Sequence, residues 1–420
     1  MENELFTIAQ VADILSVSKE TLRRWEDSGK LIPVRHKNNN YRLYSKDQLQ
    51  QFDEANMLFS TKWDDESNVQ PMRSFSAIEL FAGAGGLALG MEQAGLKSLL
   101  LSEIDKHACD TLEKNRPDWN VIRGDVSDID FTPYKDKVDI LSGGFPCQAF
   151  SYAGKKLGFE DARGTLFFEF ARAVKETNPK VILAENVRGL LNHDDGKTLK
   201  AIKDIIDELG YELVEPKVLK AVFYRVPQKR ERLLLVAIRK DLARSVTFNW
   251  PSPYKRIMTM KDALKAGELF STDVPESIGQ KYPVSKAKVL EQVPPGGYWR
   301  DLPLDVQKDY MKKSFYLGGG KTGMARRLSW EEPSLTLTCS PAQKQTERCH
   351  PEETRPLTVR EYARIQTFPD DWIFSGPITA QYKQIGNAVP VNLASAVARS
   401  VVRLLNQIEI FEADRQKKIA

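Results

Sequence analysis

The sequence predicts an α/β protein built on a mainly parallel sheet with helices on both faces, preceded by a small helical module and interrupted by an irregular domain. Three observations predict it. From residue 74 onward, apolar runs at 76–81, 97–102, 138–142, 181–184 and 233–238 alternate with helical patterns such as 165–177 and 197–209. Strands that are apolar along their whole length are covered on both faces, and crossover helices supply that cover. Residues 240–350 break the alternation, being rich in Lys, Pro and Gly with weak periodicity. The pattern then returns at 391–405 as a closing helix. A length of 420 residues has room for two or three domains.

The N-terminal module comes first. Ile8, Val11, Ala12 and Leu15 recur at helical spacing and give one apolar face. Ser18 caps a second helix that turns Leu22 and Trp25 inward, and Gly29 stops it. The stretch RHKNNNYRLY, residues 35–44, is a polar turn between short β-prone runs and makes a basic wing. Residues 19–46 hold eight Lys/Arg against three Asp/Glu. The competing reading is a solvated helical hairpin for protein contacts. DNA binding outweighs it because the charges cluster on the parts that face a groove, with Arg23, Arg24, Arg35, Lys37 and Arg42 as candidate contacts. The run TIAQVADILSVSKETLRRWEDSGKLIPVRHKNNNYRLY resembles the MerR-type winged helix-turn-helix. That resemblance implies DNA binding, for instance autoregulation at the chain's own promoter. The expected boundaries are 1–55 for this module, 56–73 for a polar linker, 74–240 for a catalytic domain, 241–375 for a recognition domain, 376–410 for the return to the catalytic domain and 411–420 for a tail.

Composition excludes several classes. A hydrophobic fraction of 41% and a charged fraction of 28% rule out a mainly disordered chain. No run of about 18 uncharged apolar residues exists, so no membrane span is expected. The start MENELFTIAQ has neither a basic n-region nor an apolar h-region. Cys109, Cys147, Cys339 and Cys349 are too few for a disulfide framework, which points to a reducing cytoplasm. Cys339 with Cys349 and His350 matches no common zinc spacing, so no metal is expected. The net charge of +4 conceals two basic regions, since residues 240–350 carry 18 Lys/Arg against 12 Asp/Glu. Phosphate binding needs such local excess.

Four motifs carry chemistry. In AIELFAGAGGLALGMEQAG (77–95) a strand runs into Gly83, Gly85 and Gly86 before a helix, so the backbone turns sharply and approaches a ligand closely. Glu103 ends the next strand, where a carboxylate binds ribose hydroxyls, and Asp125 follows a third short strand at 121–124. The spacing is neither GxGxxG nor a P-loop, which favours a nucleoside without a pyrophosphate. In ILSGGFPCQAFS (140–151) a strand delivers Cys147 to the carboxyl edge of the sheet behind Gly143, Gly144 and Pro146. A buried structural thiol is the usual reading of one cysteine; the Gly-Gly and Pro on its loop favour a positioned nucleophile. VILAENVRGL (181–190) ends an apolar strand on Glu185 and Asn186, and a carboxylate there is costly unless functional or paired. VPQKRERLLLVAIR (226–239) leads Gln228, Arg230 and Arg232 into a strand, with 230 and 232 on one face by alternation.

Together these motifs resemble the C5-cytosine DNA methyltransferase family. RPLTVREYARIQTFPDDW (355–372) and QYKQIGNAVPVNLA (381–394) resemble its last two motifs, and all occur in the family's order over about residues 74–406. The resemblance implies a Rossmann-like S-adenosylmethionine-dependent methyltransferase domain and a smaller irregular target-recognition domain. It implies a catalytic set of Cys147 as nucleophile, Glu185 as proton donor and Arg232 at the base oxygen, with Arg230 ordering the site or holding the thiolate, and with Pro146, Gln148 and Asn186. It implies a donor site of Phe81, Gly83, Gly85, Gly86, Leu87, Glu103, Ile104, Asp125, Val126, Leu166, Asn387 and Ala388. Two departures stand out: Ile104 where the family commonly has an aromatic residue, and Arg225 where it usually has Gly. The implied partners are double-stranded DNA and a cognate restriction endonuclease, with no membrane. The enzyme is expected to act as a monomer, the N-terminal module offering a route to a dimer.

Three alternatives compete with this reading. Amino-methylating DNA enzymes carry a (D/N/S)PP(Y/F) loop where this chain has Phe145-Pro146-Cys147-Gln148. A tRNA cytosine-5 methyltransferase of the same fold lacks a large recognition domain and an appended DNA-binding module. A DNA-binding regulator with a vestigial methylase is opposed by intact Cys147, Glu185 and Arg232.

Overall fold

A computed structural model describes residues 5–146 and 166–419, which form two compact units. One comprises residues up to 65, Val222–Lys229 and Ser252–Ile365, and the other Glu66–Ala221, Arg230–Pro251 and residues from 366 onward.

In the first unit, Thr7 caps the helix Ile8–Ile14 in a reciprocal pair with Gln10, and Ser18 caps the helix Lys19–Asp27 through the Thr21 N–H. Gly29 takes φ +75° just beyond, a conformation that costs glycine little. The wing is the antiparallel pair Val34–Arg35 and Arg42–Ser45, and Leu5–Thr7 adds a third strand. Leu22 is buried, but Trp25 is only half-buried and stacks on Phe52 at 5.4 Å, with the Lys30 ammonium 3.9 Å from its ring. Around residues 252–365, Leu290, Val293, Trp299, Leu302, Met311 and Cys349 form a small apolar core. Two ion pairs join the helical module to the rest of this unit: Lys229 to Asp13 at 2.5 Å, and Lys19 to Glu332.

The stretch expected as a linker is folded instead. It holds the helices Asp53–Phe59 and Trp63–Ser67, because its polar composition hides Leu58 and Trp63, both buried. Trp63 sets its edge on Tyr254 at 5.2 Å, and Thr61 donates to the Pro253 carbonyl. Further on, Arg73 grips both oxygens of Asp139 at 2.6 and 2.8 Å.

The second unit is built on an eight-stranded sheet. Across it the strands run Lys217–Lys220, Glu231–Arg239, Val181–Val187, Ile140–Gly143, Phe75–Leu80, Leu96–Glu103 and Val121–Arg123, with Tyr211–Leu213 also paired to Glu231–Arg239. The last five of the first seven are parallel, as the unbroken apolar runs predict, whereas Glu231–Arg239 is antiparallel to Val181–Val187. The chain leaves Phe75–Leu80 in one direction and later returns to its other side. The carboxyl ends of Phe75–Leu80 and Ile140–Gly143, in register at Leu80 and Gly143, therefore form the switch point where open α/β sheets bind ligands.

The final helix runs Val391–Ile419, so the expected tail is helical too. It is long and apolar enough to cross a bilayer by length and composition, but Val397, Val401, Leu404, Leu405 and Ile408 are buried in the unit. It packs on Gly86–Gln93 so closely that a Cβ on Gly90 would meet the Ala394 methyl at 2.4 Å.

Candidate active site

The glycine loop begins where Phe75–Leu80 ends. Phe81 sits at φ +60°, Gly83 at +55° and Gly85 at +84°. Three left-handed residues in five reverse the chain into the helix Gly86–Gln93, and Phe81 holds that conformation against its steric cost. Glu103 fixes the turn. Its Oε2 accepts from the Gly83 N–H at 2.7 Å, and Oε1 accepts from Ile104 and Asp105 at 2.9 and 2.7 Å. Ile104 is 70% exposed, an apolar side chain left in water beside that carboxylate. Asp125 is exposed, and its Oδ1 takes the N–H and O–H of Ser127, which hold its carboxyl below the usual range. Val126 and Leu87 are buried in the wall. Gly86 packs against the last motif, where a Cβ would meet the Val389 carbonyl at 2.2 Å and the Ala388 methyl at 3.3 Å. Ala388 is buried and Asn387 exposed beside it.

The second cluster lies at the end of Val181–Val187. Antiparallel register sets Glu185 opposite Leu234 and Arg232 opposite Val187, so Glu185 and Arg232 are diagonal neighbours on one face. Arg232 Nε donates to Glu185 Oε1 at 2.5 Å. Burial pushes the Glu185 carboxyl above its usual range, opposed by Arg232 and Arg230. Burial likewise pushes Arg232 down. Burial thus favours the protonated form of the Glu185 carboxyl, the form a proton donor needs. Arg230 does not join this pair, although strand alternation placed it with Arg232. It is buried and donates to the carbonyls of Gly386 and Asn387 at 2.9 and 3.4 Å, fastening the last motif.

Two contacts hold Phe145, within the described residues 144–146 that precede Cys147. Asn186 is buried; its Nδ2 donates to the Phe145 carbonyl at 2.8 Å and its Oδ1 accepts the Val187 N–H. Phe145 packs on Phe167 and Phe170, beneath Leu166 at the start of the next helix. The Gly-Gly before Cys147 is expected from sequence to position the loop; in the structure a Cβ at Gly144 would also lie 2.9 Å from Glu185 Oε2. Gly144→Ala is therefore expected to displace the carboxylate and cut methylation on the order of 100-fold. A methylation assay beside a melting curve checks this, since the melting temperature should move far less. Cys147 and Gln148 lie outside the described residues; Pro146, just before them, is exposed.

Sequence reasoning also missed Glu79. It is buried in Phe75–Leu80, its Oε2 meets no partner among the described residues, and burial, with the Glu103 and Glu185 charges, pushes its carboxyl well above the usual range. Its signal was a carboxylate inside the apolar run AIELF. Arg225 departs from the family's usual Gly at φ +54°, where Gly pays little. Its guanidinium is held by the Glu268 carbonyl at 2.9 Å and lies 5.2 Å from the Tyr254 ring.

In the N-terminal module, Arg35 and Arg42 both clamp Glu26, Arg23 pairs with Glu20 at 2.9 Å, and Arg24 reaches Thr21 at 3.3 Å. Lys37 is exposed on the wing turn.

The model of the C-5 cytosine-specific DNA methylases matches residues 75–403, and that of the MerR family regulatory proteins matches residues 7–44. The chain is 70% identical over 408 residues to the type II methyltransferase M.Eco47II of Escherichia coli, covering 97% of this chain and 98% of that one. It is 60% identical over 409 residues to M.PspPI of Psychrobacter sp. (strain TA137), again covering 97% and 98%. The solved S. pombe Dnmt2 methyltransferase shares the fold at TM-score 0.55 and 17% identity, over 79% of this chain and 99% of that one. Motif order, sheet topology and these identities lead to one assignment: the chain belongs to the C-5 cytosine-specific DNA methylases and is a DNA cytosine-5-methyltransferase.

Proposed function

We propose that the enzyme flips a cytosine out of a short duplex recognition sequence and methylates its C5 from S-adenosylmethionine through a covalent Cys147 adduct. It does so as the protecting half of a restriction-modification system, alongside a cognate endonuclease, in the cytoplasm. The observation that carries this reading is the Glu185–Arg232 pair at the strand end, with Gly144 of the Cys147 loop against its carboxylate.

Cytosine C5 is a weak nucleophile inside a base stack, so the base must be extruded and activated. The Cys147 thiolate attacks C6 and forms the S–C6 bond. The displaced ring electrons move toward N3, which takes its proton from Glu185, and C5 becomes the nucleophilic end of an enamine. Arg232 donates to the base oxygen and offsets the developing charge. After C5 is substituted, it loses its proton to a base, the C6–S bond breaks and Cys147 leaves as thiolate. Arg230 keeps the last motif in place and Asn186 holds the loop.

The residues present fit the donor. Glu103 Oε2 accepts one backbone N–H and keeps a lone pair for a ribose hydroxyl. Asp125 keeps Oδ2 for an adenine amino group. Exposed Ile104 offers an apolar face, and the space beside Gly83 is open. When bound, S-adenosylmethionine supplies an electrophilic methyl group.

Bisulfite sequencing of host DNA after expression tests the reading. One protected short sequence is expected, and protection confined to host background would overturn it. The N-terminal module is proposed to bind duplex DNA as well, including the chain's own promoter, which footprinting reads directly.

A further inference from the structure

Arg326 differs from the two arginines around it in the recognition residues. Arg327 is saturated: its Nε donates to Val293 O, one Nη to His350 O and Glu353 O, and the other to Leu290 O and Thr354 Oγ1. Arg348 likewise spends its donors on the Thr336 and Glu347 carbonyls. Among the described residues, Arg326 donates no side-chain hydrogen bond and forms no ion pair, and its Nε is buried without an acceptor. A half-buried guanidinium with unused donors is costly, and buried polar groups in folded proteins are almost always satisfied.

Its backbone is clamped. The Arg326 carbonyl accepts the Cys349 N–H at 3.0 Å, the Arg327 N–H donates to Gly297 O at 3.1 Å, and Ala325 is buried at φ +46°. The Tyr298 ring lies 6.0 Å from the guanidinium carbon and limits its travel. Glu332 and Asp301 act on it through charge alone. The side chain thus leaves a clamped backbone as a donor fork with its inner nitrogen buried.

We infer that Arg326 is a specificity-determining residue that reads a guanine of the target duplex in the major groove. This rests on the proposed duplex substrate. The two Nη groups match guanine O6 and N7, an acceptor pair that no other base presents there. Phosphate contacts fix register on the duplex but carry no sequence information directly. A planar, half-desolvated guanidinium with free Nη donors suits a paired acceptor of fixed geometry.

The test uses the full-length enzyme and duplexes carrying its target site, each guanine replaced in turn by 7-deazaguanine, which lacks N7. The wild-type enzyme should lose about 10- to 100-fold in kcat/KM at one guanine. Arg326→Gln should lose a similar factor on the unmodified duplex and show no further penalty at that guanine. Arg326→Lys keeps the charge but not the fork. It serves as the variant that folds if Gln does not, and should show the same indifference. Bisulfite sequencing of cells expressing either variant should show a relaxed base at one position. A uniform loss across all sequences, with the salt slope lowered by about one and every 7-deaza penalty intact, would assign Arg326 to a phosphate and overturn the inference. So would a wild-type enzyme indifferent to every replacement. A wild-type enzyme that methylates no duplex at all would instead count against the proposed function.

Discussion

Glu185→Gln is expected to lower methyl transfer by about 10²- to 10⁴-fold while leaving the protein folded. The substitution preserves shape, and the amide oxygen can still accept from Arg232 Nε, which now bonds to Oε1 at 2.5 Å. What it removes is the transferable proton. Burial holds the Glu185 carboxyl above its usual range, so the wild-type acid stays protonated at higher pH than an exposed glutamate. Activity that requires the acid form is full below that raised value and falls as pH rises through it. The variant has no carboxyl to titrate, so its small residual rate should lack that alkaline limb. Single-turnover methylation across pH reads both effects. A variant with wild-type rates, or with the same limb, would show that another group protonates the ring.

Much of this site was legible because strand ends are legible. An apolar run that stops on Glu-Asn, another on Gly-Gly-Phe-Pro-Cys and a third on Phe-Ala-Gly all place chemistry at one edge of a parallel sheet. Glu185, Asn186, Glu103 and the left-handed Gly83 and Gly85 lie where that logic put them. Pairing was not legible. Arg230 and Arg232 share a face by alternation, yet Arg232 meets Glu185 through antiparallel register and Arg230 meets a carbonyl 156 residues away. No local pattern encodes either partner. The closeness of Gly144 to Glu185 left no local signal either, because it lies in what a methyl there would strike. Residues 56–73 looked like a linker because charge outweighs Leu58 and Trp63 in composition, whereas two buried side chains are enough to dock short helices. Arg326 left no signal either, since satisfied and unsatisfied arginines are identical in sequence.

Arg232→Ala is expected to cost both activity and stability, and the stability loss should depend on pH. Removing one partner of a buried ion pair costs about 3–5 kcal/mol, because the other charge is left uncompensated. Here the stranded group is Glu185, with a side chain only 12% exposed. Without the guanidinium that opposes the effect of burial, its carboxyl rises further above the usual range. The unfolded chain keeps an ordinary glutamate value. A folded value above the unfolded one means the variant binds a proton on folding. The variant is therefore least penalised below the ordinary glutamate value, where Glu185 is protonated in both states. Because the wild-type carboxyl is itself raised, the penalty relative to wild type opens above the wild-type folded value, grows as pH rises toward the variant's still higher one, and is complete above that. Melting curves of wild type and variant should nearly coincide in mild acid and separate as pH increases; a separation constant with pH would mean that Arg232 acts through packing instead. Replacing both Glu185 and Arg232 by Leu separates stability from function. With neither charge to desolvate, most of the stability should return. Methylation should not, because neither the N3 proton nor the donor to the base oxygen is restored. The ion pair is then retained for its chemistry, at some cost to the fold that holds it.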